Sequence, residues 1–306
     1  MTASRTPDGR SAPGGLVLVD KPAGMTSHDV VARIRRLAGT RKVGHAGTLD
    51  PMATGVLVVG VEKATRLLGH LTLADKQYLA TIRLGQSTST DDAEGEITAA
   101  PGAARVTQGG IATAVAALTG PIEQIPPGIS AIKVGGQRAY KLTRDGQAPD
   151  LAARPVTVHE FEITALVRPG NADGDILDLE ATVTCSSGTY VRALARDLGQ
   201  ALGTGGHLTK LRRTRSGSYR IEDARTLDEL AGQFTVTPLA EAAAAAFPRL
   251  DLTADQSRLV AHGGRLPPAT LPSAGSPAAV FGPDGSLIAL MQEDDGRTRP
   301  LAVFVP

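Results

Sequence analysis

The stretch from Gly44 to Leu57 reads Gly-His-Ala-Gly-Thr-Leu-Asp-Pro-Met-Ala-Thr-Gly-Val-Leu, and Asp50 is its only acidic residue. A lone carboxylate between Leu49 and Pro51, preceded by the basic pair Arg41-Lys42, can do covalent or general-base chemistry. The same spacing suits a plainer role, with Asp50 as a helix N-cap and Pro51 as the first helical residue. Gly44, Gly47 and Gly55 allow positive φ or close backbone approach, so the stretch reads as a shaped loop. The apolar run Val56 to Val61 behind it reads as a buried strand.

Two basic groups accompany this loop: Arg33, Arg35, Arg36, Arg41 and Lys42 before it, and Lys210, Arg212, Arg213, Arg215 and Arg220 far downstream. Asp91, Asp92, Glu94 and Glu96 offset them, and the net charge is only +1. Clustered cations on a near-neutral chain suit a local phosphate-binding face, although solvated helix faces have the same composition. The chain has no Trp and four Tyr. Tyr78, Tyr140, Tyr190 and Tyr219 each stand within two residues of Lys or Arg, an interleaving that suits base stacking beside phosphate contacts. The six histidines are scattered singly and Cys185 is the one cysteine, so neither a metal site nor a disulfide is expected.

These residues need a scaffold. A chain of 306 residues, 42% apolar and 21% charged, reads as a soluble globular protein with one large domain or two. No apolar run is long enough for a bilayer, and the Ser/Pro/Gly/Arg-rich start lacks a signal h-region, so a cytoplasmic location is expected. Residues 1–14 read as a disordered tail. Gly15 to Val19 is a strand, and Thr26 opens a helix that buries Val30, Val31, Ile34 and Leu37 and stops at Gly39. Further strands are expected at Tyr78 to Leu84, Ser130 to Lys133, Arg154 to Val167, Asp175 to Cys185 and Leu208 to Tyr219. Helices are expected at Thr107 to Leu118, from Arg138, and after Ser186-Ser187-Gly188-Thr189, where Arg192 falls in the first turn. Gln86 to Gly95 reads as an exposed loop. The alanine-rich Leu239 to Ala246 is a helix that Phe247-Pro248 breaks, which marks a domain boundary. Beyond it a short Thr253-capped helix precedes a strand, a Gly-Pro-Asp-Gly turn and two strands. Alternating strands interleaved with helices predict an α+β fold with a mainly antiparallel sheet.

At this point the chain resembles the TruB family, the bacterial pseudouridine-55 synthases of transfer RNA. The resemblance runs through Lys21-Pro22-Ala23-Gly24, Gly44-His45-Ala46-Gly47-Thr48-Leu49-Asp50-Pro51, Lys76-Gln77-Tyr78, Leu84-Gly85 and Ser130-Ala131-Ile132-Lys133. It continues through Cys185-Ser186-Ser187-Gly188-Thr189-Tyr190-Val191-Arg192 and Leu211-Arg212-Arg213. Ile129 replaces a usual aromatic residue, and Gly206 stands where the family tends to carry Ala.

The resemblance implies a pseudouridine synthase fold over residues 15–246 and a small β-rich, PUA-like RNA-binding domain over 247–306. It implies that Asp50 is catalytic, as nucleophile at the sugar or as base, and that Arg192 is its partner. Tyr78 would lie against the target base, His45 would fill the space left by a flipped nucleotide, Leu211 would line the pocket and Lys21 would support the loop. With Tyr190 these form the expected substrate-binding set, and Arg41, Lys42, Arg212, Arg213 and Arg215 the expected RNA-backbone contacts. The expected partner is the T-arm of transfer RNA, with no cofactor and no membrane, for a monomer. Two other readings fit the residues: a non-catalytic RNA-binding protein in which Asp50 is structural, and an acid-dependent nucleoside hydrolase.

Overall fold

The computed structural model describes residues 14–128, 133–134, 137–138, 151–169, 175–267, 270–272, 276–294 and 296–305. The tail of residues 1–13, Ile129 to Ile132 and Tyr140 lie outside them. The chain packs as two compact units, one of Met1–Pro51, Gly55–Ala74 and Ser216–Pro306, the other of Met52–Thr54 and Asp75–Arg215. The fold is α+β with mostly antiparallel pairing.

In the first unit, Gly15–Lys21 runs antiparallel to Thr54–Val61, with Gly15 opposite Val61 and Lys21 opposite Gly55. Val43–Ala46 is antiparallel to that same strand. Residues 56–61 are all buried, as their unbroken apolar run predicts. The helix is Ser27–Ala38, started by a capping box in which Thr26 and Asp29 exchange hydrogen bonds and ended by Gly39 at φ +64°. The alanine helix is Leu239–Ala246.

After it, Arg249–Asp251 pairs parallel with Ala278–Phe281, which is followed in antiparallel order by Leu287–Asp294 and Arg297–Val303. Successive side chains on Ala278–Phe281 face opposite ways. Ala278 and Val280 join a cluster with Leu252, Val260 and Met291, while Ala279 and Phe281 join Leu16, Val58, Leu67 and Ala242. The C-terminal sheet therefore shares a core with the N-terminal strands, and Lys63 Nζ and Arg66 Nη1 donate to the carbonyls of Phe304 (2.9 Å) and Val303 (2.5 Å). Tyr219 belongs to this core. It is 6% exposed and its hydroxyl donates to Ala242 O at 2.9 Å, so it packs its ring and offers no stacking face.

The second unit orders its strands Gly206–Ser216, Lys76–Leu84, Leu177–Cys185, Arg154–Val167, Gly120–Gln124. Lys76 lies opposite Cys185, Tyr78 opposite Val183, and Arg154 opposite Gln124. Burial alternates along Lys76–Leu84 and Leu177–Cys185, the period-two pattern of a sheet with one covered face. The helix Val191–Ala201 buries Val191, Leu194, Ala195 and Leu198. It lies tight on the chain that follows: a Cβ on Gly199 would sit 2.2 Å from the Gly205 carbonyl carbon, and one on Gly206 2.4 Å from Ala195 O. Glycine at 206 permits that approach.

Two expectations are corrected here. Gln86 to Gly95 is not an exposed loop throughout, because Thr88 and Asp92 are buried at 7% and 2% exposure and Thr88 Oγ1 donates to Asp92 O. Arg138 stands in a strand, and the rest of the helix expected over Arg138 to Leu142 lies outside the described residues. That strand, Gln137–Arg138, is paired with Lys133–Val134.

Candidate active site

The first unit carries the Asp50 loop. Asp50 is half-buried, and the backbone on each side of it is tethered. Ser27 Oγ donates to Leu49 O at 3.0 Å and accepts from Leu49 N at 2.9 Å. Gly24 N donates to Pro51 O at 2.9 Å. Lys21 is fully buried, and its ammonium donates to Pro22 O (2.8 Å), Met25 O (2.6 Å) and Pro51 O (3.1 Å). Lys21 was expected to support the loop, and these three donations tie its ammonium to the backbone just before the first helix and just after Asp50.

Gly47 (φ +82°) and Gly55 (φ +101°) take left-handed conformations around this loop. Gly44 serves by close approach, since a Cβ there would meet Leu68 Cδ1 at 3.0 Å. Pro51 and Met52 form a turn and no helix starts there, so the N-cap reading of Asp50 lapses. His45 is half-buried and stands edge-on to His28 with ring centres 5.6 Å apart. Arg41 and Lys42 are exposed, Lys42 at 77% beside Glu62 (3.7 Å). Arg35 directs a donor to Val43 O (3.1 Å), so part of the first basic group braces backbone.

The second unit carries the remaining expected residues. Arg192, in the first turn of its helix, is 4% exposed. Its Nη1 donates to Thr90 O at 2.8 Å and lies 3.5 Å from Asp92 Oδ2. Asp92 Oδ1 accepts from Glu94 N at 3.0 Å and from Thr90 Oγ1. A buried guanidinium needs charge and hydrogen-bond partners, and Asp92 is the residue that sequence reasoning missed. Nothing in the polar run Ser87 to Asp92 distinguishes it from a solvated acid.

Tyr190 is held through its backbone: its N–H donates to Gln124 Oε1 (2.8 Å) and Gln124 Nε2 donates to its carbonyl (3.2 Å). Tyr78 and Leu211 are each 8% exposed. Arg212 Nη1 donates to Thr54 Oγ1 at 3.3 Å, four residues past Asp50, and Arg215 is half-buried. Arg213 departs from expectation. At 1% exposure its guanidinium is enclosed, beside buried Lys76, and it is not displayed to an RNA backbone. Burial and the Arg213 charge push Lys76 down to about 8, and burial pushes the Cys185 thiol up to about 11.

The arrangement can hold one half-buried carboxylate on a braced loop in one unit and a buried, charge-paired arginine in the other. Comparison with known proteins adds the following. Residues 35–191 match the family described as TruB family pseudouridylate synthase (N terminal domain). Residues 192–244 match tRNA pseudouridylate synthase B C-terminal domain, and 247–305 match tRNA Pseudouridine synthase II, C terminal. A tRNA pseudouridine synthase B from Thermobifida fusca (strain YX) is 60% identical, over 95% of this chain and 98% of the relative. Another from Arthrobacter sp. (strain FB24) is 57% identical, over 95% and 97%. Among solved structures, a Cbf5-Nop10-Gar1 complex matches with TM-score 0.72 and 26% identity, over 100% of this chain and 92% of that one. An H/ACA RNP bound to a substrate RNA containing 2'-deoxyuridine matches with TM-score 0.70 and 25% identity, over 100% and 92%. With its sequence covered from the Asp50 loop to the last strand, the chain belongs to the TruB family of pseudouridylate synthases.

Proposed function

We propose that this chain converts uridine 55 in the T loop of transfer RNA to pseudouridine, with Asp50 acting at the flipped-out nucleotide. The observation that carries the reading is the Asp50 loop itself: a half-buried carboxylate whose neighbours Leu49 and Pro51 are fixed by Ser27, Gly24 and Lys21. Such bracing holds the backbone on both sides of a reacting group in place. The reaction breaks the N1 to C1′ bond, turns the base and rejoins it through C5, and the C5 proton leaves to solvent. Atoms balance without redox or an energy source. Asp50 either attacks C1′ or removes the C2′ proton, and the base is retained for both routes.

A uridine inside folded RNA must leave its stack first, at a cost of a few kcal/mol. His45 is proposed to occupy the space it leaves, and Tyr78, Tyr190 and Leu211 to receive the base and its neighbours. The resemblance assigns the Arg192 guanidinium to the Asp50 carboxylate, and its pairing with Asp92 and Thr90 O gives that guanidinium a fixed position. Exposed Arg41 and Lys42 are proposed as phosphate contacts, joined by Arg212 and Arg215. The C-terminal sheet is proposed as a PUA-like RNA contact, and a cytoplasmic monomer fits the reading. No helix among the described residues is long and apolar enough to cross a membrane.

The test is tritium release from C5-labelled uridine in a transfer RNA transcript, with carbodiimide mapping of the product. A product at position 55 supports the reading. Binding without release would favour a purely RNA-binding protein, and free uracil would favour a hydrolase.

A further inference from the structure

The helix Val191–Ala201 presents two arginines one turn apart, Arg192 and Arg196, to two consecutive aspartates. Asp92 lies by Arg192, while Arg196 Nη1 is 3.3 Å from Asp91 Oδ2. Neighbours in an extended chain point to opposite sides, so adjacent acids do not ordinarily reach adjacent turns of one helix. Here the chain is bent for it. Asp91 sits at φ +58°, a left-handed conformation that is strained for a non-glycine residue, and its carbonyl accepts from Leu208 N at 3.0 Å. Arg196 also donates through Nε to Asp197 Oδ1 (2.9 Å) and through Nη2 to Ile125 O (2.8 Å). Ile125 directly follows Gln124, which grips the Tyr190 backbone. Arg196 therefore fastens to a single helix face both the Thr90 to Asp92 turn, which holds Arg192, and the strand end whose Gln124 holds Tyr190.

We propose that Arg196 and Asp91 are a positioning pair that fixes the Arg192 guanidinium for the isomerisation, a role that rests on the reading of Arg192 as a site residue. The pair is three-quarters buried, with side chains 28% and 17% exposed, so it is a defined contact and not a loose surface one. It touches no reacting atom. Its effect is to limit the play of the turn whose Thr90 carbonyl and Asp92 carboxylate hold Arg192.

The test uses the full chain and single-turnover tritium release at saturating transfer RNA, well below the melting temperature. Arg196→Gln and Asp91→Asn are each expected to slow release about 10-fold, as a small misplacement of a site group does, with transfer RNA affinity within about 2-fold of the parent. Asparagine tolerates the left-handed backbone, so Asp91→Asn removes charge without added strain. Arg196→Lys should recover part of the rate. The decisive measurement is a cycle with Arg192→Lys: if Arg196 acts through Arg192, the Arg192→Lys/Arg196→Gln double variant is no slower than Arg192→Lys alone. Multiplying rate losses, or losses seen in affinity only, would overturn the positioning role. An unimpaired Arg192→Lys would instead overturn the reading of Arg192 itself, and the proposal with it.

Discussion

The braces on Asp50 and those on Arg192 are built from different materials. Around Asp50 the acceptors are backbone carbonyls, those of Pro22, Met25, Leu49 and Pro51, reached by Lys21, Ser27 and the Gly24 amide. Around Arg192 and Arg196 the partners include three carboxylates, of Asp91, Asp92 and Asp197. A carbonyl is supplied by any residue and keeps its dipole at any pH, so the loop depends on few side-chain identities. A buried carboxylate is one particular residue, and removing it leaves a charge behind. The first design should concentrate its vulnerability in Lys21 and Ser27, whereas the second spreads it over a network.

The largest expected effect separates bracing from chemistry. Asp50→Asn should lower product formation by about 10³-fold or more while melting temperature and transfer RNA affinity stay near the parent, because it removes the reacting charge and preserves size and loop shape. Turnover within tenfold of the parent would end its catalytic role. Next comes the charged side of the comparison: Asp92→Ala should cost about 3 kcal/mol in denaturant unfolding, since Arg192 keeps its burial and loses a carboxylate. Lys21→Met should cost about as much or slightly less, roughly 2–3 kcal/mol, as charge-assisted bonds to buried carbonyls vanish. If Lys21→Met were neutral, the carbonyl brace would be dispensable and the contrast would fail.

A smaller effect is expected in alkali, and again in the second unit. Lys76 is held near 8 against an ordinary 10.5, so between those values the unfolded chain binds a proton that the folded chain has released, and stability rises with pH. Cys185 is held near 11 against an ordinary 9.0; between those values the unfolded chain has lost a proton that the folded chain keeps, and stability falls. The two oppose each other above pH 9. Cys185→Ala should therefore go on gaining stability relative to the parent from pH 9 to 10.5 in urea melts, and parallel curves would refute the assignment. The smallest effect is on the exposed cations: Arg41→Gln with Lys42→Gln should weaken transfer RNA binding a few-fold and flatten its salt slope by about 1–2.

Much of this was legible in order along the chain. The Thr26 cap, the Gly39 stop, the alanine helix at Leu239–Ala246 and the alternating strand Lys76–Leu84 follow from local rules, and the structure has them. What failed to show was long-range. Asp92 reads as a solvated acid until Arg192, 100 residues later, is brought against it. Tyr219 and Arg213 read as RNA contacts because they sit in a basic stretch, but burial is decided by the sheet and core around them. The Gln124 grip on Tyr190 joins a side chain to a backbone, which no pattern of residue types announces. Lys21 was legible as a support, yet its three acceptors were not, since carbonyls carry no sequence.

The close seat of the Val191–Ala201 helix has a mechanical consequence. Gly199 lies seven residues after Arg192, so it returns to nearly the same side of the helix, and there the backbone of Gly205 and Gly206 leaves no room for a Cβ. One end of that side is clamped by sterics and the other by charge, which makes the helix a beam fixed at both supports. It can neither roll nor slide without breaking one of them. A relative with alanine at the position of Gly206 must seat the beam farther out, and would have to correct the reach of its arginines by other means.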